Sequence, residues 1–256
     1  MVIYPSPIFG PVHSRRLGVS LGINLLPADG KVCTFDCIYC ECGFNADHRP
    51  RLPLPTRQEV ASALKARLDD MRQHGPQPDV LTFAGNGEPT LHPQFPDIIA
   101  DTLRLRDLYC PRARVSVLSN GTQAGRPEIR AALMSVDNNI QKLDTVSPIY
   151  INNVDRPQGR YDVERTVEAL CLFGGQVIVQ TIFFGGSYRG FDCDNTGDDY
   201  VVPWLQALQR IKPRQVMIYT IDRETPATSL TKAAPDRLDA IAGRVRQMGI
   251  ECSVSY

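Results

Sequence analysis

Short apolar, β-rich runs alternate with amphipathic helical patterns along the whole 256-residue chain. Leu17, Val19, Leu21, Ile23 and Leu25 recur at period two and read as a first strand. Thr56–Gln73 follows as a helix with Val60, Leu64, Leu68 and Met71 on one face, opened by Thr56 and Glu59 as a capping box. Strands are then expected at Val80–Ala84, Val115–Leu118, Ile140–Asp144, Val177–Phe183 and Val216–Ile221. Helices are expected at Phe95–Leu105, Pro127–Met134, Val163–Phe173, Val201–Ile211 and Asp236–Met248, with Ser253–Tyr256 as a short final strand. Six strand–helix units in series predict a parallel sheet, barrel-like or doubly wound, within a single domain spanning residues 1–256.

In either architecture, functional residues collect beyond the carboxyl ends of the strands. Four unusual segments fall there: the cysteine-rich run after the first strand, Gly85-Asn86-Gly87-Glu88, Ser119-Asn120-Gly121, and Asp222-Arg223.

Eight cysteines are present, and Cys33, Cys37, Cys40 and Cys42 lie within ten residues of one another. Nothing at the N-terminus resembles a secretory signal, and no apolar stretch approaches the roughly 18 residues of a membrane span. A cytoplasmic, reduced protein without membrane attachment is therefore expected, in which clustered thiols point to metal or catalysis rather than disulfides. Lys+Arg and Asp+Glu balance at 28 each, which argues against a broad nucleic-acid footprint.

Cys33, Cys37 and Cys40 follow a C-x3-C-x2-C spacing. A zinc site with four cysteine ligands ordinarily uses two separated knuckles, and no second knuckle exists here. Three soft ligands on a compact loop suit a [4Fe–4S] cluster with one iron left open for chemistry.

With Tyr39 as the aromatic, this loop resembles the hallmark of the radical S-adenosylmethionine (radical SAM) superfamily. The likeness is greatest to small Fe–S oxidoreductases related to the tRNA wybutosine-synthesis enzymes. It is carried also by Phe9–Gly18, Lys31-Val32-Cys33, Gly87-Glu88-Pro89-Thr90, Ser119-Asn120-Gly121-Thr122, Lys142-Leu143-Asp144 and Tyr219–Arg223. The resemblance implies a partial (β/α)6 TIM-like barrel in which Cys33, Cys37 and Cys40 hold the cluster. Its open iron binds S-adenosyl-L-methionine, and reductive cleavage gives a 5′-deoxyadenosyl radical that abstracts hydrogen from a substrate. Gly85, Asn86, Gly87 and Glu88 match the segment that holds the methionyl amino group, with Asn86 where glycine is usual. By the same resemblance Ser119 and Asn120 face the ribose or carboxylate.

Several polar residues leave two readings open. Lys142 and Asp144, two apart in a strand, share a face, either as a mutual ion pair lining the cofactor site or as an outward pair. Gln180 points inward or bonds to backbone, and Tyr219 contacts adenine or packs in the core. Asp222, Arg223 and Arg156, with His13, Arg15 and Arg16, are candidates for facing substrate. Cys42 neighbours the cluster or is a bystander, Cys193 is a candidate exposed radical-site thiol, and Cys110, Cys171 and Cys252 are expected to be buried. An external one-electron reductant of flavodoxin or ferredoxin type is implied. The substrate is a small molecule or peptide, a partner enzyme receiving a glycyl radical, or tRNA. The tRNA reading is weakened because residues 1–32 hold no cysteine for a second cluster. A non-enzymatic electron carrier is the remaining alternative, although carriers ordinarily close all four irons with protein ligands.

Overall fold

The computed structural model describes residues 1–14 and 18–256, so Arg15, Arg16 and Leu17 lie outside the described residues. In chain order the elements are β1 (Ile8–Ser14), β2 (Gly18–Ile23), α1 (Arg57–His74), β3 (Val80–Phe83), α2 (Phe95–Tyr109), β4 (Arg114–Ser119), α3 (Pro127–Ser135) and β5 (Asn138–Lys142). They continue with α4 (Pro148–Tyr150), α5 (Val163–Cys171), β6 (Ile178–Ile182), β7 (Phe184–Tyr188), β8 (Phe191–Asp192), α6 (Asp198–Ile211), β9 (Gln215–Tyr219), β10 (Leu230–Lys232), α7 (Pro235–Gln247) and β11 (Glu251–Ser255).

Eight strands form one sheet in the order β1-β2-β3-β4-β5-β6-β9-β11. From β2 to β11 every neighbouring pair is parallel. The sheet is the expected partial barrel, and the short final strand expected at Ser253–Tyr256 forms as β11, Glu251–Ser255. Side chains alternate across it. Leu21, Ile23, Leu81, Phe83, Val115, Val117, Val179, Val216 and Ile218 join the helices in the main core, whereas Ser20, Gly22, Thr82, Leu118, Ile140, Gln180 and Met217 line a cavity on the other face.

The helix α1 follows its sequence pattern closely. Val60, Leu64, Leu68 and Met71 are its buried residues, and Thr56 and Glu59 form the reciprocal capping box that satisfies two otherwise unpaired backbone donors. Trp204 of α6 is 1% exposed, and its indole Nε1 donates to the Leu143 carbonyl at 3.0 Å. This bond ties the helix layer to the loop after β5.

Three features depart from the sequence reading. The antiparallel strand β1 contains Pro11 and shifts register between Phe9 and Val12. Proline is tolerated there because β1 is an edge strand, and the proline-rich sequence had hidden it. Secondly, β10, β7 and β8 form a separate small sheet above the carboxyl ends of β6 and β9. Cys193, directly after β8, is 0% exposed and is not the exposed thiol expected. Its neighbours Tyr150, Phe184 and Ile182 build a second apolar cluster that also packs Ile38 of the cysteine loop. Thirdly, Asp144 lies beyond the end of β5 rather than within it. Cys110 and Cys252 are buried as expected, but Cys171 is partly exposed.

Candidate active site at the cysteine loop

The cysteine loop leaves β2 and is clamped against the loop after β3 by backbone bonds. Val32 N donates to Asn86 O at 2.9 Å, and Glu88 N donates to Val32 O at 3.0 Å. Gly87, at φ +129°, is required at this crossing. A Cβ there would lie 1.9 Å from the Val32 carbonyl oxygen, and its φ disfavours any L side chain.

Asn86 is 0% exposed and donates through Nδ2 to Tyr4 O at 2.9 Å and Pro27 O at 2.8 Å. Its Oδ1 accepts from Tyr4 N at 2.8 Å. The Asn86 side chain thus anchors the N-terminal segment. Glu88 is also buried, and its carboxylate joins two loops by accepting from Thr90 N at 3.0 Å and Asn120 N at 2.6 Å. Burial pushes its pKa up, opposed by these donors. Asn120 in turn donates to Thr34 Oγ1 at 2.8 Å and approaches Cys33 Sγ at 3.6 Å. Ser119 Oγ accepts from Gly121 N at 3.1 Å.

The three loop thiols have different surroundings. Cys33 and Cys40 are partly exposed and Cys37 is buried. Enclosure and the nearby Glu88 charge push Cys33 up to about 12. Burial raises Cys37 well above the usual thiol range, against the pull of Lys142. A hydrogen bond from Cys42, together with the Lys31 ammonium, brings Cys40 down to about 6 despite burial. Cys42 itself is buried, and its Sγ lies 3.4 Å from Gly85 O.

A buried charge cluster flanks Cys37. Lys142 Nζ lies 3.0 Å from Asp144 Oδ2 and 2.5 Å from Asp155 Oδ1. Tyr39 OH donates to Asp144 and Asp155. Cys37 Sγ is 3.8 Å from Asp155 Oδ1. Burial lifts Asp155 to about 6, with Lys142 opposing the rise. Burial works to lower Lys142, and the two carboxylates more than reverse it. Lys142 and Asp144 therefore do meet as an ion pair.

A cavity of about 580 Å³ opens on the concave side of the sheet. Tyr39, Cys40, Gly85, Gln180 and Tyr219 line it, as do His13, Asp222 and Arg223. Across its mouth, Arg223 bonds Glu41 and donates to Tyr4 OH at 2.7 Å, while Tyr4 OH donates to Glu41 Oε1 at 3.0 Å. Asp222 Oδ1 lies 3.5 Å from Lys232 Nζ. Arg156 stands elsewhere: it pairs with Asp36 at 3.3 Å and stacks over Phe44 at 4.8 Å on the outer side of the cysteine loop.

Sequence reasoning passed over four contributors. Asp155 sits in a helical turn, Ile151–Asp155, directly before the chosen Arg156, and carried no pattern that set it apart. Lys31 was quoted within a matching motif but given no role, although it is a cation two residues before the first loop cysteine. Tyr4 and Glu41 carried no pattern that tied them to Arg223.

The donor set is three thiols on one loop. Among the described residues no three Cys, His, Asp or Glu side chains close around a single metal ion. Three soft thiols on one loop are the donor type that an iron–sulfur cluster takes.

No family model matches the sequence. Among curated proteins, the UPF0026 protein of Helicobacter pylori (strain J99) is 29% identical over 223 residues, covering 84% of this chain and 66% of that protein. A protein named GTPase Obg from Brachyspira hyodysenteriae is 29% identical over 223 residues, covering 85% of this chain but 30% of its own length. The chain thus spans less than two thirds of the length of either relative. Among solved structures, a radical SAM methyltransferase from Sphaerobacter thermophilus matches with TM-score 0.66 and 16% identity, covering 93% of this chain and 66% of that one. Streptococcus suis SuiB bound to S-adenosylmethionine matches with TM-score 0.63 and 13% identity, covering 89% of this chain and 49% of that one. SuiB has also been solved bound to its precursor peptide SuiA. The chain therefore has the partial-barrel fold of the radical SAM enzymes. No helix among the described residues is long and apolar enough to cross a membrane.

Proposed function

We propose that residues 1–256 form one catalytic domain of a radical SAM enzyme, with Cys33, Cys37 and Cys40 as the cluster ligands. The observation that carries this reading is the placement of a three-thiol loop at the carboxyl rim of the barrel, with Cys40 opening onto the central cavity. When bound, a [4Fe–4S] cluster with an open iron would supply the electron that reductively cleaves S-adenosylmethionine and releases the radical for hydrogen abstraction.

The protein's own contribution is positioning and exclusion of water. Gly85, Gln180, Tyr39 and Tyr219 supply cavity surface for the adenosyl and methionyl groups. Asn86, Gly87 and Glu88 fix the loop beside the cysteines, while Ser119 and Asn120, at the end of β4, hydrogen-bond the Glu88 carboxylate. Lys142 and Asp144 hold the Tyr39 side chain against the cavity wall. Asp222 and Arg223 stand at the mouth, where a substrate enters.

The cavity is of a size suited to S-adenosylmethionine together with a small group or one residue of a larger substrate. A peptide or protein substrate is favoured over tRNA by the balanced charge of the chain. SuiB, which shares the fold, binds a peptide. The reductant is a flavodoxin- or ferredoxin-like protein.

Anaerobic reconstitution with iron and sulfide tests the reading. A [4Fe–4S] absorption and EPR spectrum with reductive release of 5′-deoxyadenosine is expected. One bound zinc and no deoxyadenosine would refute it. Deuterated cell extract separated into tRNA, protein and metabolite fractions then identifies the substrate class by transfer of deuterium into 5′-deoxyadenosine.

A further inference from the structure

The cysteine loop lies between two charge clusters of opposite sign. On one side Lys142 faces both Asp144 and Asp155, so that a single cation meets two carboxylates. On the other side Lys31 and Arg156 share one carboxylate, Asp36. The Lys31 side chain is 1% exposed, and Nζ donates to the Gly43 carbonyl at 2.6 Å. Gly43 N donates in turn to the Cys40 carbonyl at 2.9 Å, so the ammonium sits inside the turn that carries the loop cysteines. Asp36 is 3.9 Å from Lys31, but it lies closer to Arg156 and accepts from Asn45 N at 2.7 Å. The Lys31 charge is thus incompletely neutralised by protein and held within the loop that carries the three thiols.

A buried ammonium is expensive to desolvate and is retained only where something compensates it. A cluster held by three thiolates is net negative and becomes more so on reduction. Its potential responds to nearby charge and to hydrogen bonds at sulfur. Such interactions are strong in the low-dielectric setting of this loop.

We propose that the buried Lys31 ammonium sets the reduction potential of the cluster held by Cys33, Cys37 and Cys40, favouring its reduced state. The step concerned is a one-electron transfer from an external low-potential carrier to the cluster, with no bond made or broken and no proton taken up. This inference rests on the radical SAM reading above.

The test is an EPR-monitored potentiometric titration of anaerobically reconstituted protein. Wild type, Lys31→Met, Lys31→Gln and Lys31→Arg are compared with Lys65→Met, which removes an equal charge from the exposed face of α1. At a fixed potential, the reduced-to-oxidised ratio should fall about tenfold in Lys31→Met and Lys31→Gln, equivalent to about 59 mV for a one-electron couple. Lys31→Arg and Lys65→Met should titrate with wild type. Charge-free variants whose curves superimpose on wild type overturn the proposal. If Lys31→Met and Lys31→Gln both fail to load a cluster, iron content decides: retention by Lys31→Arg supports a role for the charge, and loss from all three overturns it. A wild-type protein that never shows a cluster spectrum refutes the radical SAM reading itself, an outcome distinct from a normal cluster with an unmoved potential.

Discussion

Lys142 Nζ and Asp155 Oδ1 meet at 2.5 Å beneath the cysteine loop, the first at the end of β5 and the second in the helical turn before α5. The lysine side chain is 16% exposed and the aspartate 3%. Removing the cation would leave Asp155 and Asp144 uncompensated side by side, whereas removing Asp155 leaves the Lys142–Asp144 pair intact. Lys142→Met should therefore destabilise the metal-free protein by about 3–5 kcal/mol. Asp155→Asn should cost clearly less. Urea unfolding of the two variants checks the order, and equal losses would contradict the cluster described here.

Gly87→Ala tests the crossing of the two loops. The added methyl meets the Val32 carbonyl and is held at a positive φ. Strain from the left-handed backbone and from overpacking together should cost about 3 kcal/mol. Iron incorporation should fall with it, because Val32 is followed directly by Cys33. Gly243→Ala, inside α7 with nothing within 4 Å of the added carbon, should lose neither stability nor iron.

The cysteines should separate by function on substitution. Cys37→Ala is expected to abolish cluster binding, and Cys110→Ala to leave iron and sulfide content unchanged. Cys110 packs in the main core behind α2, so its replacement should register only as a modest loss in urea midpoint.

His92 gives a pH dependence that is independent of the cysteine loop. Burial lowers its pKa below the ordinary histidine value, opposed by its bond to the Pro55 carbonyl. Nε2 lies 2.8 Å from that carbonyl, and Nδ1 accepts from Gln94 N at 3.1 Å, an arrangement that suits the neutral ring. The unfolded chain therefore takes up a proton at higher pH than the folded one. The contribution of His92 to stability is complete above the unfolded pKa of roughly 6.5 and is lost as pH falls through the folded value. Metal-free wild type should lose more stability than His92→Gln between pH 7.5 and pH 5, chosen as roughly one unit or more on either side of that value. Parallel curves would exclude the effect.

Arg223 reaches Glu41 and Tyr4 OH across the cavity mouth and is 59% exposed. An exposed pair of this kind contributes about 0–1 kcal/mol. Arg223→Ala should therefore unfold within about 1 kcal/mol of wild type while changing substrate-dependent deoxyadenosine formation. Loss confined to KM would place Arg223 in binding, and an unchanged rate would remove it from the site.

Much of the barrel could be read from periodicity. The stripe of Val60, Leu64, Leu68 and Met71 in α1 and the alternation in β2 are local patterns, and both elements form where those patterns lie. The edge strand β1 and the small sheet of β7, β8 and β10 were not legible. In β1, Pro11 broke the strand signal, and in the small sheet Gly185-Gly186 and the two-residue β8 left no alternation to count. Glu88 and Asn86 were noticed as unusual residues, yet their partners Asn120 and Tyr4 are distant in sequence and could not be inferred from it.

The sequence by itself determined the succession of strands and helices, the rim on which polar residues would gather, and the three cysteines that share one loop. These follow from spacing along the chain. Only the tertiary structure decided that Asp155 answers Lys142, that Lys31 is buried within the cysteine loop against the Gly43 carbonyl, and that Cys193 is buried rather than exposed. The reason is physical: a charge or thiol takes its character from burial and from neighbours brought together by the curvature of the sheet, and neither is written in sequence separation.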